Sequence, residues 1–117
     1  MRTTPNSLRS IMLDEVLQAI AEPHRRQIMH LIQDQELSSG EISAHFDITG
    51  PAISQHLKVL VETGLITMRR AGTRRLYQAR PEGLAELKQF LEQFWDDELA
   101  QLKRSAEAEE RRNKTQK

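Results

Sequence analysis

Residues 38–64, reading SSGEISAHFDITGPAISQHLKVLVETG, leave the backbone few choices. Ser38 with Glu41 three residues on is a capping-box pattern: the hydroxyl can accept from a first-turn amide while the carboxylate reaches back to the amide of Ser38. The short helix so begun buries Ile42 and Phe46. Asp47-Ile48-Thr49-Gly50 must then turn. Thr49 can cap a second helix, and Pro51 is tolerated because it falls within the first turn, where no hydrogen bond is lost. Gly64 is the expected stop, since glycine accepts the left-handed conformation that ends many helices. A short helix, a tight turn and a second helix make a helix-turn-helix unit.

The second helix is asymmetric. At the helical period Ile53, Leu57 and Leu60 share a buried stripe. The opposite face offers Pro51, Ala52, Gln55 and Lys58, with Ser54 and His56 on the flanks, and no acid before Glu62. A solvated surface helix usually carries Glu–Lys pairs at this spacing, and this one has none. A face that is small at its start and polar beyond suits close approach to the floor of a DNA major groove. Gln55 could pair with adenine there, while Ser54 and Lys58 suit phosphates or base edges. Ser38 and Ser39 stand at the start of the preceding helix, where backbone amides favour a phosphate; for Ser38, a plain capping role is an equally good reading.

The flanking chain supplies the rest of a small domain. Helical periodicity runs from Leu8 through Ile11, Met12, Val16, Leu17 and Ile20, and Pro23 opens a second helix that extends to about Asp34. After Gly64, LITMRR and RRLYQA flank Ala71-Gly72-Thr73, as two strands of a β-hairpin would. Pro81 then opens a long helix over about 82–104. Glu22 and Arg80, which precede the two prolines, are weak choices for helix caps. The expected fold is mainly α with a small β-hairpin, in the order α-α-α-α-β-β-α: a winged helix-turn-helix. Residues 1–7 read as a flexible arm, 8–104 as the DNA-binding and dimerisation domain, and 105–117 as a disordered tail too polar to pack.

Charge sharpens the reading. The 17 basic and 17 acidic residues of the 117-residue chain cancel, which alone argues against a polyanionic partner. Yet residues 49–80 hold Lys58, Arg69, Arg70, Arg74, Arg75 and Arg80 against the single acid Glu62. A local positive patch is what phosphate contact requires. Arg69, Arg70, Arg74 and Arg75 flank the hairpin tip, and alternation along the strands prevents all four from facing the core. Charged hairpins often serve only to protect a sheet edge, but four arginines without an acid exceed that need. Cysteine is absent, which removes disulfides and thiolate metal sites. With no apolar leader and no membrane span, a cytoplasmic location is expected.

AEPHRRQIMHLI, SSGEISAHFDITGPAISQHLKVLVETGLI and RRAGTRRLYQARPEGLAEL resemble, in that order, the winged-helix repressors of the ArsR family. The resemblance covers about residues 10–100 and implies a reading helix at 49–63, a wing at 65–79 and terminal helices that form a homodimer. It is nearest the autorepressor-like branch without metal sites. Metal-sensing relatives carry thiolates at positions that match Ser38 and Gly40 here, and others bind zinc on the last helix, where residues 82–104 hold no histidine. His24, His30, His45 and His56 form no i, i+4 pair. No metal and no cofactor are therefore expected. His56 falls where DNA-binding relatives often have histidine, which implies phosphate contact.

Leu84, Leu87, Phe90, Leu91, Phe94, Trp95, Leu99 and Leu102 give the last helix two overlapping apolar stripes, more than one side of a small domain covers. Leu91, Phe94, Trp95, Leu99 and Leu102, with Leu13 and Leu17 of the first helix, are the candidate dimer contacts. Double-stranded DNA and a second copy are the expected partners, with a small-molecule or protein effector left open. The alternative is a winged helix that binds a protein and no specific DNA. An enzyme is not expected: no nucleophile, base and orienting group converge, and Asp96-Asp97-Glu98 reads as a solvated face.

Overall fold

A computed structural model describes residues 5–115, with side chains described for 11–111. The first helix, α1 (Pro5–Ala21), begins three residues earlier than Leu8, because proline's fixed φ suits a first helical turn. Residues 1–4 of the expected arm lie outside the described residues. Val16 and Ala19 of α1 are buried. Pro23 ends α1 by disfavouring helical geometry at Glu22, and opens α2 (Pro23–Leu31). Glu22 is the better cap than its residue type suggested: its carboxylate accepts from the Arg25 amide at 3.0 Å. Helix α2 stops at Leu31, short of Asp34, with Ile32 fully buried as its C-cap.

The helix-turn-helix forms where its local signals require. Helix α3 (Ser39–Ser43) carries the full capping box, Glu41 N–H to Ser38 Oγ at 3.2 Å and Ser38 N–H to Glu41 Oε1 at 3.0 Å. Helix α4 (Gly50–Glu62) is capped by Thr49, whose Oγ1 accepts from the Ala52 amide at 3.2 Å. Gly64, at φ 75°, turns the chain out of the helix.

Three strands follow one another in space as β1-β3-β2, all antiparallel. Strands β2 (Ile66–Ala71) and β3 (Arg74–Ala79) are the expected hairpin, joined by Gly72-Thr73 with Gly72 at φ 65°. Glycine in the first of two turn positions matches the right-handed twist of the strands. The two-residue strand β1 (Leu37–Ser38) was not expected; it pairs Leu37 with Tyr77 and Ser38 with Leu76. It fixes the start of α3 to the middle of β3.

Ile28, Ile32, Ile42, Ile53, Leu57, Leu60, Leu65 and Ile66 form the centre of the core. All are aliphatic, as the scarcity of aromatics demands. After β3 a 3-10 turn (Pro81–Leu84) leads into α5 (Ala85–Thr115). Gly83 is required there: a Cβ at this position would lie 2.2 Å from the carbonyl oxygen of Gly64. The chain divides into two compact units, one ending at Leu87 and one starting at Lys88. In the second, helix continues beyond Arg104 to Thr115, where a disordered tail was expected. Polarity was the wrong criterion: residues 103–111 are Ala, Glu, Lys, Arg and a single Ser, almost all strong helix formers, with neither Gly nor Pro. Among the described residues no helix is long and apolar enough to cross a membrane.

Candidate nucleic-acid interface

Packing decides which side of α4 is available. Ile53, Leu57 and Leu60 are at most 1% exposed, and the opposite side presents Pro51, Ser54, Gln55 and Lys58 to solvent. At about 100° per residue these four fall within a single arc of about 100°. Ala52 is half-buried at its edge. The hydroxyls of Ser38 and Thr49 are engaged as helix caps, so capping accounts for their residue types without DNA. Ser39, Ser54, Lys58 and Arg75 line one open groove of about 430 Å³, together with Leu57, Val61, Glu62, Met68 and Tyr77. Four expected contact residues from α3, α4 and the hairpin thus share one concavity.

The hairpin arginines divide into two pairs. Strand register sets Arg70 directly opposite Arg75, on the face that also carries Ile66 and Tyr77. Arg69 and Arg74 occupy the other face and are engaged by acids from earlier in the chain. Arg69 donates from Nε and Nη2 to the two oxygens of Glu36 at 2.7 and 2.8 Å, and Arg74 donates to Glu41. The hydrogen bond from Arg69 holds the Glu36 carboxyl below the usual carboxylate range, and Glu36 raises Arg69 in return. Glu41 is lowered first by the Ser38 amide and hydroxyl and further by Arg74. The expectation of four arginines without an acid counted neighbours in sequence only. Among the described residues, Arg70, Arg75 and Lys58 have no carboxylate within ion-pair distance.

The His56 side chain is 17% exposed and turned towards the start of α2. Arg25 Nη1 lies 3.3 Å from its Nδ1, Glu22 Oε2 lies 3.8 Å from its Nε2, and the His24 ring stacks on it at 5.7 Å. Burial holds the ring below its ordinary pKa, Glu22 opposing and Arg25 and His24 adding to the shift. Both ring nitrogens have protein groups nearby. At helical spacing His56 sits next to the buried stripe, which is why it turns inward.

The apolar residues expected at a dimer contact also separate. Leu13 is half-buried against its own unit's core, whereas Leu17 is exposed, as are Ile11 and Met12. On α5, Phe90, Leu91, Phe94, Trp95, Leu99 and Leu102 are all 46–63% exposed.

A helix-turn-helix whose second helix is open on one side, beside an arginine-bearing hairpin, defines a winged-helix DNA-binding protein. Residues 22–68 match the profile of the bacterial regulatory proteins of the arsR family. The chain is 44% identical over 82 residues to the HTH-type transcriptional regulator Rv2034 of Mycobacterium tuberculosis, covering 70% of this chain and 77% of that protein. It is 32% identical over 80 residues to an arsenical resistance operon repressor of Staphylococcus xylosus, covering 68% and 77%. A homodimeric winged helix-turn-helix DNA-binding domain from Mycobacterium bovis, solved by NMR, superposes with a TM-score of 0.65 at 25% identity, over 83% of this chain and 90% of that one. The chain belongs to the arsR family of bacterial transcriptional regulators, a family of regulators and not of enzymes.

Proposed function

We propose that the chain acts as a homodimeric repressor that occupies an inverted-repeat operator. The observation that carries this reading is the Arg70–Arg75 pair. Like charges directly opposite across a ladder disfavour the hairpin, and a phosphate between them converts that repulsion into attraction. Arg75 also lines the groove with Ser39, Ser54 and Lys58, so one stretch of backbone can meet the wing and both helices. Pro51, Ala52 and Gln55 then face the bases, with Gln55 as the direct reader. Ser38 and Thr49 contribute as caps whose helix starts approach the backbone, and Arg69 and Arg74 contribute as ion-paired supports of the wing.

Dimerisation rests on the exposed strip Leu91, Phe94, Trp95, Leu99 and Leu102, with Leu17 of α1 as a further contact. Single exposed apolar residues are ordinary, but a continuous strip marks an interaction surface. The homodimeric state of the M. bovis domain supports the same reading. Two-fold symmetry gives two reading helices and half-sites about 34–36 Å apart.

The test is fluorescence anisotropy with DNA from the chain's own upstream region, across a salt series. Binding should weaken steeply with salt. Replacing Arg70 and Arg75 by Ala removes four phosphate contacts from the dimer and should lower the slope of log K against log salt by about 4, whereas Arg69→Ala with Arg74→Ala should change it less. Equal effects of the two double variants, or no preference over unrelated DNA, would overturn the proposal.

A further inference from the structure

Sequence spacing alone hid one cluster, because its members come from two helices far apart in the chain. Glu22 and His24 stand at the start of α2, and His56 lies in the middle of α4. One donor atom from each lies within 4.8 Å of the other two. Glu22 Oε1 is 2.9 Å from His24 Nδ1, and Glu22 Oε2 is 3.8 Å from His56 Nε2. Two ligand atoms bound to one tetrahedral zinc ion, each about 2.0–2.1 Å from it, stand about 3.4 Å apart. The two observed separations, each from a different oxygen of the Glu22 carboxylate, lie on either side of that value.

We propose that Glu22, His24 and His56 form a three-ligand zinc site that ties the start of α2 to the reading helix. Two imidazoles and a carboxylate are the donor set of open, four-coordinate zinc centres, and water completes the shell. The side chains are 17–38% exposed, so an ion has a path in and a fourth position faces solvent.

Two contacts must change on loading: zinc on His24 Nδ1 ends the hydrogen bond between that nitrogen and Glu22 Oε1, and the contact between His56 and Arg25 is also altered. Zinc on His56 Nε2 puts the ring proton on Nδ1, which then faces the Arg25 guanidinium, two donors against each other. The planar guanidinium moves only as one body, and it is held by hydrogen bonds from Nε to the Ala19 carbonyl at 2.6 Å and from Nη2 to the Gln18 carbonyl at 3.1 Å, so the His56 ring is the partner that shifts. Loading thus exchanges a long contact between α2 and α4 for metal bonds.

The experiment is titration of the chelator-stripped full chain, with Zn²⁺ by calorimetry and with Co²⁺ by visible absorption. One ion per chain is expected, with the intense bands of four-coordinate cobalt and their loss when zinc is added. His24→Gln and His56→Gln, each checked for folding by circular dichroism, should weaken zinc binding by about a hundredfold or more; His45→Gln should leave it unchanged. Parent-like affinity in both ligand variants, or only weak six-coordinate cobalt spectra, would overturn the site. Because no DNA enters the test, its failure leaves operator binding standing, and failure of operator binding leaves the site standing.

Discussion

Helices α4 and α5 are built from similar apolar residues and meet opposite fates. In α4 every large residue of the stripe Ile53, Leu57 and Leu60 is sealed, at most 1% exposed. In α5 beyond Leu87, a longer stripe of Phe, Leu and Trp remains 46–63% exposed. The starts differ too. Thr49 caps α4 with its own side chain, whereas Arg80 makes no side-chain cap before the 3-10 turn that leads into α5. One helix is complete within a single chain. The other carries an exposed apolar strip, which would gain roughly 25 cal/mol for each Å² covered.

The largest effect should come from breaking the completed side. Leu57→Ala leaves a cavity in a fully packed site and should cost about 3 kcal/mol of stability, read as a lower urea midpoint at unchanged slope. A cost below about 1 kcal/mol would mean that α4 is less sealed than its burial indicates. Next, Trp95→Glu with Leu99→Glu should weaken self-association at least about tenfold in sedimentation equilibrium, since burying a carboxylate without a partner is unfavourable. The helical signal of the chain should persist, because both residues are already exposed. Unchanged association would show that the strip on α5 serves some other contact. A smaller loss, about 1 kcal/mol in the same denaturation assay, is expected for Thr49→Ala, which leaves the Ala52 amide without its acceptor. Smallest of all is Glu92→Gln. It removes the Lys88–Glu92 pair, 3.9 Å long and well exposed, and should shift stability by about 0.3 kcal/mol or less.

Legibility in the sequence followed the range of the interactions involved. The starts of α3 and α4 were readable to within a residue or two because their caps, Ser38, Glu41 and Thr49, act on amides three positions away, whereas α3 ends at Ser43, short of the expected Phe46. Strand β1 was not, since two residues give no periodicity and its partners, Leu76 and Tyr77, lie far along the chain. The same distance concealed Glu36 from Arg69, 33 residues on, and so overstated the unpaired charge of the wing. The surroundings of His56 were equally hidden, because Glu22, His24 and Arg25 come to it from a segment more than thirty residues away. The helix over 105–115 was missed because polarity was taken for disorder, although its residues favour helix as strongly as they favour water.

Glu41 has a consequence for how this sequence can drift. A single carboxylate oxygen receives the Ser38 amide and the Arg74 guanidinium, so α3 and the wing lean on the same atom. Loss of Arg74 leaves Glu41 with its capping duty alone, and loss of Glu41 frees both a helix start and a wing arginine at once. Changes at positions 38, 41 and 74 will therefore be epistatic, each altering what the next is worth. Relatives that dispense with the acid at 41 should be released from the basic residue at 74, so that the two positions vary as a pair across 33 residues of otherwise independent chain.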